Sequence, residues 1–247
     1  MKSNSLQYLS HLHDILNKIQ DTQWETIDCC AKKIAEAVAE KHALFAYGAS
    51  HASILSQELF YRAGGLAIFN PIMPSDVMLH TRPITLTTSM ERLDGYASII
   101  LKHTPIKAGD ILILHSVSGR NKAIIEMALE ARKLGITTIG MTNMTYSSQL
   151  TSRHDSGKML YEVCDYVLDN CGDFEDASTH IEGLEQKVAP TSTIAGCTIV
   201  NMMLIRTVEY LLKMGIEPPI FRSANADGGD EFNEKIFEEY KDAIHYM

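Results

Sequence analysis

The stretch DILILHSVSGRNKAIIEMALEARKLGITTIGMT, residues 110–142, decides the fold. It opens on a continuous apolar run, 110–116, and closes on another, 137–142. Runs this short and this uniformly apolar predict strands buried on both faces, the mark of a parallel sheet between helix layers. Between them Ile124, Ile125, Ala128, Leu129 and Leu134 recur at helical spacing, and Gly135 is a natural C-terminal stop. The stretch therefore reads as one strand–helix–strand unit, with the segment HSVSGRN (115–121) turning strand into helix.

Working outward, ALFAYG (43–48), LAIFN (66–70) and DYVLDN (165–170) complete five strand candidates. The expected fold is α/β, a three-layer α/β/α sandwich around a five-stranded parallel sheet, preceded by N-terminal helices. Two such helices are predicted, one carrying Leu6, Leu9, Leu12, Leu16 and Ile19. The other carries Trp24, Ile27, Ala31, Ile34, Ala35 and Val38, with a break at Asp21-Thr22. Residues 191–215 are apolar nearly all round until Arg206, which predicts a helix in the core or in a dimer interface. A last helix is expected near 230–245, and another within 91–103. The chain divides into a helical extension (1–42), an α/β core (43–215) and a tail with helix (216–247), all within one domain. Residues 71–109, with four prolines, read as an insertion that shapes a site.

With 22 Lys and Arg against 31 Asp and Glu, the net charge is -9, which argues against a nucleic-acid backbone or an anionic membrane surface as partner. A small ligand is expected instead. The five cysteines form no metal-binding spacing, which predicts reduced thiols in a cytoplasmic protein. The N-terminal residues lack a continuous apolar run, and no stretch is read as the roughly 20 apolar residues that span a bilayer.

Ligands of such sheets sit beyond the carboxyl ends of the strands. There Ser116, Ser118, Gly119 and Asn121 put hydroxyls and backbone N–H groups at a helix N-terminus, where a phosphate fits. Plain capping of that helix by Ser118 or Asn121 is the alternative. Neither GxxxxGK[ST] nor GxGxxG is present, so a nucleotide is not indicated. Glu58 follows His51 by seven residues, a spacing that would bring both to one stripe of a helix begun by His51. Arg153, His154, Ser156 and Lys158 could add cationic contacts after the fourth strand, and His80 and Glu91 lie in the insertion.

Ser116-Val117-Ser118-Gly119-Arg120-Asn121 resembles the SxSGxx phosphate loop of the SIS family, the sugar isomerase domains that bind phosphosugars. Gly48-Ala49-Ser50-His51-Ala52-Ser53 is similar to that family's first loop, and Val188-Ala189-Pro190-Thr191-Ser192-Thr193 to the segment before its last helix. The phrases ELFYRAGGL, SRHDSGK, EGLEQKVAPTST and EPPIFRSANADGGDE look like a phosphoheptose isomerase-like subgroup. That subgroup tends to carry GxGHSH in the first loop; here Ser50 replaces the second Gly, Ala52 the Ser, and Ser53 the second His.

The resemblance implies a flavodoxin-like sheet and a homodimer or higher homo-oligomer. It also implies a sugar phosphate held by Ser50, His51, Ser53, Ser116, Ser118, Gly119, Asn121, Thr191, Ser192 and Thr193. Aldose–ketose isomerisation would then use Glu58 as base and His180 as acid. No cofactor is expected, and the ten histidines are scattered with no metal triad, so no metal site is expected either. A phosphosugar lyase or etherase, or a sensor that binds a phosphosugar without turnover, are the alternatives.

Overall fold

The computed structural model describes residues 3–247. In chain order the elements are α1 (Asn4–Ala39), β1 (Leu44–Gly48), α2 (Ser53–Leu59), β2 (Phe69–Ile72), α3 (Thr85–Glu91) and α4 (Tyr96–Lys102). They continue with β3 (Ile111–His115), α5 (Lys122–Lys133), β4 (Thr137–Thr142), α6 (Met144–Ser147), α7 (Leu160–Val163) and β5 (Tyr166–Asp169). A short ribbon of β6 (Ala177–Thr179) and β7 (Val188–Pro190) leads into α8 (Ser192–Lys213) and α9 (Gly229–Glu239).

The five main strands pair in parallel in the order β2-β1-β3-β4-β5, the flavodoxin-like arrangement. Every residue of β1 and β3 is buried, as two-faced burial demands. The order reverses between β1 and β3, and there Gly48 pairs with His115, the last residues of their strands. The loops 49–53 and 116–121 therefore leave the sheet side by side, at the point where this architecture opens a ligand crevice.

Five sequence expectations are corrected. The N-terminal region is one helix of 36 residues, not two. Asp and Thr are poor helix formers by only about 0.7 kcal/mol or less. Thr22 moreover donates its hydroxyl to the Lys18 carbonyl one turn back (2.7 Å), and Ile19 and Ile27 are fully buried on either side. Leu6, Leu9 and Trp24, expected in the core stripe, are exposed.

The second strand starts later than its apolar run. Leu66, Ala67 and Ile68 are buried by the C-terminal tail, through the Leu66–Ile220 bridge and the bond from Ala67 N–H to the Pro219 carbonyl (2.9 Å). The helix expected within 91–103 begins only at Tyr96, because Gly95 is left-handed (φ 74°) and separates α3 from α4.

Contrary to the sequence reading, α8 is long and apolar enough, by length and composition, to cross a membrane. Here it is a packed helix. Ala195, Ile199, Val200 and Met203 are buried, and Asp28 on α1 receives Arg206 Nε (2.6 Å) and the Tyr210 hydroxyl (2.8 Å). Its opposite face leaves Ile194, Ile205 and Leu212 exposed.

Candidate functional site

The first loop is shaped by a backbone approach that only glycine permits. A Cβ on Gly48 would lie 2.5 Å from the Ala52 carbonyl oxygen. A short 3-10 turn over Ser50–Ala52 precedes α2, so the α-helix begins after His51 rather than at it. Ser50 sits at φ 54°, and its carbonyl accepts the buried Ser53 hydroxyl (2.7 Å). Ser53 also accepts from Gln57 (3.3 Å), so its hydroxyl is engaged in holding the turn. His51 is exposed.

His115 joins this loop to the next one. Its Nδ1 lies 3.0 Å from the Ala52 carbonyl and so carries the proton. Nε2 is buried without a partner, and burial pushes the imidazole pKa down, which keeps the ring neutral. The Tyr47 hydroxyl is likewise buried and unpartnered. Both residues line a cavity of about 10 Å3, water-sized, together with Glu91, Ser116 and Asn121.

The loop 116–121 is tied down at each end. The Ser116 hydroxyl accepts from Gly119 N–H (3.2 Å), and the Val117 carbonyl accepts from Asn143 N–H (3.1 Å) and the Thr142 hydroxyl (3.0 Å). Gly119 is left-handed at φ 59°, and a Cβ there would meet Ser147 Oγ at 2.9 Å and Thr142 Oγ1 at 3.0 Å. Asn121 stands at the N-cap of α5, yet its side chain does not cap the helix. Instead its amide donates to Glu91 (2.7 Å) while its oxygen accepts from Arg153 (2.7 Å). No side-chain cap therefore occupies the N-terminus of α5, and Ser116, Ser118 and Gly119 stand beside it. That is the arrangement an oxyanion binds to.

The start of α8 is arranged oppositely. There Asp176, itself at φ 63°, accepts from Thr191 N–H (3.2 Å), Ser192 N–H (2.9 Å) and the Ser192 hydroxyl (2.5 Å). A carboxylate of the chain already sits where a phosphate would otherwise bind. Thr191 is fully buried with its hydroxyl unpartnered, and Thr193 is half-buried.

Glu58 faces α8 rather than solvent-open loop. It pairs with Arg62 one turn on and accepts from the Asn201 amide (2.9 Å). His180 is exposed beyond β6, in a hollow of about 410 Å3 shared with Gln7, Tyr8, His11, Ser178 and Thr179. At its edge His11 Nε2 lies 2.7 Å from Asp173. Of the residues after the fourth strand, Arg153 reaches the phosphate-type loop, whereas His154 and Ser156 bond each other (2.9 Å) and Lys158 is exposed. His80 is exposed and does not line the water-sized cavity beside the loop, whereas Glu91 does. Among the described residues no three His, Cys, Asp or Glu side chains are grouped to hold a metal ion.

Sequence reasoning passed over His115 and Tyr47, and left Asp176 among several competing carboxylates. His115 and Tyr47 were disguised as strand residues, though a histidine closing an apolar strand at the ligand end is a signal. Asp176 lay within an acid-rich segment that offers no local way to choose among its carboxylates.

Comparison with known proteins agrees with this geometry. A family model described as SIS domain matches residues 7–143, which include both loops. A UPF0309 protein of Shouchella clausii is 47% identical over 241 residues, covering 98% of each chain, and one of Streptomyces griseus is 41% identical over 97% of this chain and 96% of its own. Among solved structures, a phosphoheptose isomerase from Neisseria gonorrhoeae superposes with a TM-score of 0.55 at 15% identity, over 83% of this chain and 97% of that one. One from Francisella tularensis gives 0.52 at 14% identity, over 82% and 95%. With its sheet order, its paired loops at the β1/β3 switch point and these relatives along nearly its whole length, the chain belongs to the SIS-domain family.

Proposed function

We propose that the chain binds a sugar phosphate, with the phosphate on Ser116, Ser118, Gly119 and Asn121, and interconverts its aldose and ketose forms. The observation that carries the reading is the N-terminus of α5, free of any side-chain cap and flanked by two serines and a left-handed glycine. SIS-domain membership supports the phosphosugar, and the phosphoheptose isomerases of the same fold motivate the reaction.

In the reaction a base removes the proton from C2 as O1 gains one, giving an enediol; the proton then returns to C1 as O2 loses its own. A carboxylate suits the first task. Glu58 is one candidate, with His180 serving the oxygens. Glu91 is favoured by a specific observation: its carboxyl is buried beside the loop, and burial pushes its pKa up despite the Asn121 hydrogen bond that pulls it down. Glu58, by contrast, is held in an ion pair with Arg62 and a hydrogen bond from Asn201, away from the 116–121 loop. Ser50, His51 and Ser53 lie on the sugar side in this reading, and Thr191, Ser192 and Thr193 across from them.

The protein would work in the cytoplasm as a homodimer or larger homo-oligomer, without metal or cofactor. The exposed apolar face of α8 supports the assembly.

The test follows deuterium exchange at C2 by NMR across hexose and heptose phosphates, in wild type, Glu58→Gln and Glu91→Gln. Loss of about 100-fold or more in one variant, with ligand-induced thermal stabilisation retained, identifies the base. Full exchange in both variants refutes a carboxylate base among these two, and stabilisation without any exchange in wild type leaves a sensor.

A further inference from the structure

A tyrosine hydroxyl that is taken out of water normally finds a hydrogen-bond partner. Tyr96 follows that rule and donates to Asp76 (2.9 Å). Tyr47, in β1, does not: its side chain is buried, and its hydroxyl has no partner among the described residues. Tyr47 lines the cavity of about 10 Å3 between the two loops, together with Glu91, His115, Ser116 and Asn121. The rest of the wall is alanine and Ile124, whose side chains offer no hydrogen bond.

The polar groups on this cavity are only partly engaged. Glu91 accepts the Asn121 amide through Oε2 (2.7 Å), while its Oε1 takes no hydrogen bond from the described residues. Ser116 accepts from Gly119 N–H (3.2 Å) and still has its own hydroxyl proton to give. His115 closes the first-loop side, with Nδ1 committed to the Ala52 carbonyl (3.0 Å). A phenol that can donate, a carboxylate oxygen that can accept and a space of one water's size therefore share one place, and a buried water takes roughly two to four such partners. Burial first, then the charges of Glu91 and Asp76, keep the Tyr47 phenol protonated and so able to donate. The other groups acting on Glu91 are burial, which raises its pKa, and Asn121, Arg92 and Arg153, which lower it.

We propose that a water seated in this cavity links the Tyr47 hydroxyl to the free oxygen of Glu91, which makes Tyr47 a positioning residue for the base of the isomerisation. Tyr47 donates to the water, and the water donates to Glu91 Oε1. With Asn121 on the other oxygen, the link fixes the plane of the carboxyl and favours its ionised form, the form that can take a proton from C2. The inference rests on the reading of Glu91 as that base, and it adds a residue that touches neither sugar nor phosphate.

The experiment compares wild type with Tyr47→Phe, which keeps the ring and removes only the hydroxyl. Tyr96→Phe is the control, since it deletes a neighbouring buried hydroxyl whose partner is Asp76. A crystal structure of the wild-type protein should show one water within hydrogen-bond distance of Tyr47 Oη and Glu91 Oε1. The titration of the Glu91 carboxyl, followed by 13C NMR without any ligand and assigned with Glu91→Gln, should move upward by about half to one pH unit in Tyr47→Phe and stay in place in Tyr96→Phe. The acid limb of the C2 exchange rate should move by the same amount, with KM unchanged. A midpoint that does not move in Tyr47→Phe, an equal movement in both variants, or a wild-type crystal structure without that water overturns the proposal. The titration needs no substrate, so if wild type exchanges no proton at C2 the isomerase reading falls by itself, while the midpoints still decide whether Tyr47 acts on Glu91.

Discussion

Gly119 is where the candidate site is most sensitive to a single methyl group. Replacing it with alanine has two separable effects. The residue is at φ 59°, and an L side chain in the left-handed region costs about 1–2 kcal/mol. The new Cβ would stand 2.9 Å from Ser147 Oγ, 3.0 Å from Thr142 Oγ1 and 3.3 Å from Leu160 Cβ. None of these is the free end of a long side chain, and crowding of a packed site costs about 1–3 kcal/mol. Against this, alanine restricts the unfolded chain and returns about 0.4–1 kcal/mol. The net loss is about 1–4.6 kcal/mol, which at about 2–4 °C per kcal/mol for a chain of this size lowers the melting temperature by about 2–18 °C. Gly157 is the control. It has φ 69° but nothing within 4 Å of the position a Cβ would take, so Gly157→Ala feels the conformational effect without the crowding. Differential scanning calorimetry of both variants separates the two contributions. If Gly119→Ala melts no lower than Gly157→Ala, the close packing beneath the loop is not what constrains it, and the reasoning fails.

Two further perturbations probe the scaffold around the site. His115 is held neutral by burial, so its folded pKa lies below the unfolded value of about 6.5 and the unfolded chain takes up a proton first. Stability is therefore complete above about pH 6.5 and declines as pH falls below it, by at most about 1.4 kcal/mol per pH unit for this one group. His245, stacked on Phe45 at 5.8 Å and also shifted downward by burial, adds to the same trend. In His115→Gln the amide can still donate to the Ala52 carbonyl, and melting curves between pH 7.5 and 5.5 should fall less steeply than in wild type; an identical slope refutes the assignment. Asp176→Ala removes three hydrogen bonds from the start of α8, one of them from the Ser192 hydroxyl, and should destabilise by about 1–3 kcal/mol. An unchanged melting temperature would mean that the carboxylate does not cap that helix.

What the sequence discloses and what it conceals divide along a physical line. The strands β1, β3 and β4 are legible because two-faced burial forces continuous apolar runs, and the loop 116–121 is legible because a strand end must hand over to a helix start there. The second strand is displaced for the same reason that the others are right: burial of 66–68 is real, but it comes from the tail at Pro219 and Ile220, some 150 residues away. Periodicity reports that a residue is buried, not what buries it. The break expected at Asp21-Thr22 fails because local propensities there are weak against the packing of a helix on α8. Asn121 is the sharpest case. By local rules an asparagine at an N-cap bonds the first turn of its own helix. Here its two side-chain atoms go to Glu91 and Arg153, thirty residues before it and thirty-two after. Those partners become available only once the insertion and the segment after β4 have folded over the same strand ends. The choice cannot be made from spacing, because the competing local bond is sterically open to the residue as well. That choice leaves the N-terminus of α5 without a side-chain cap and draws Arg153 to its edge, so the chemistry of the site depends on the one contact that local sequence would have assigned differently.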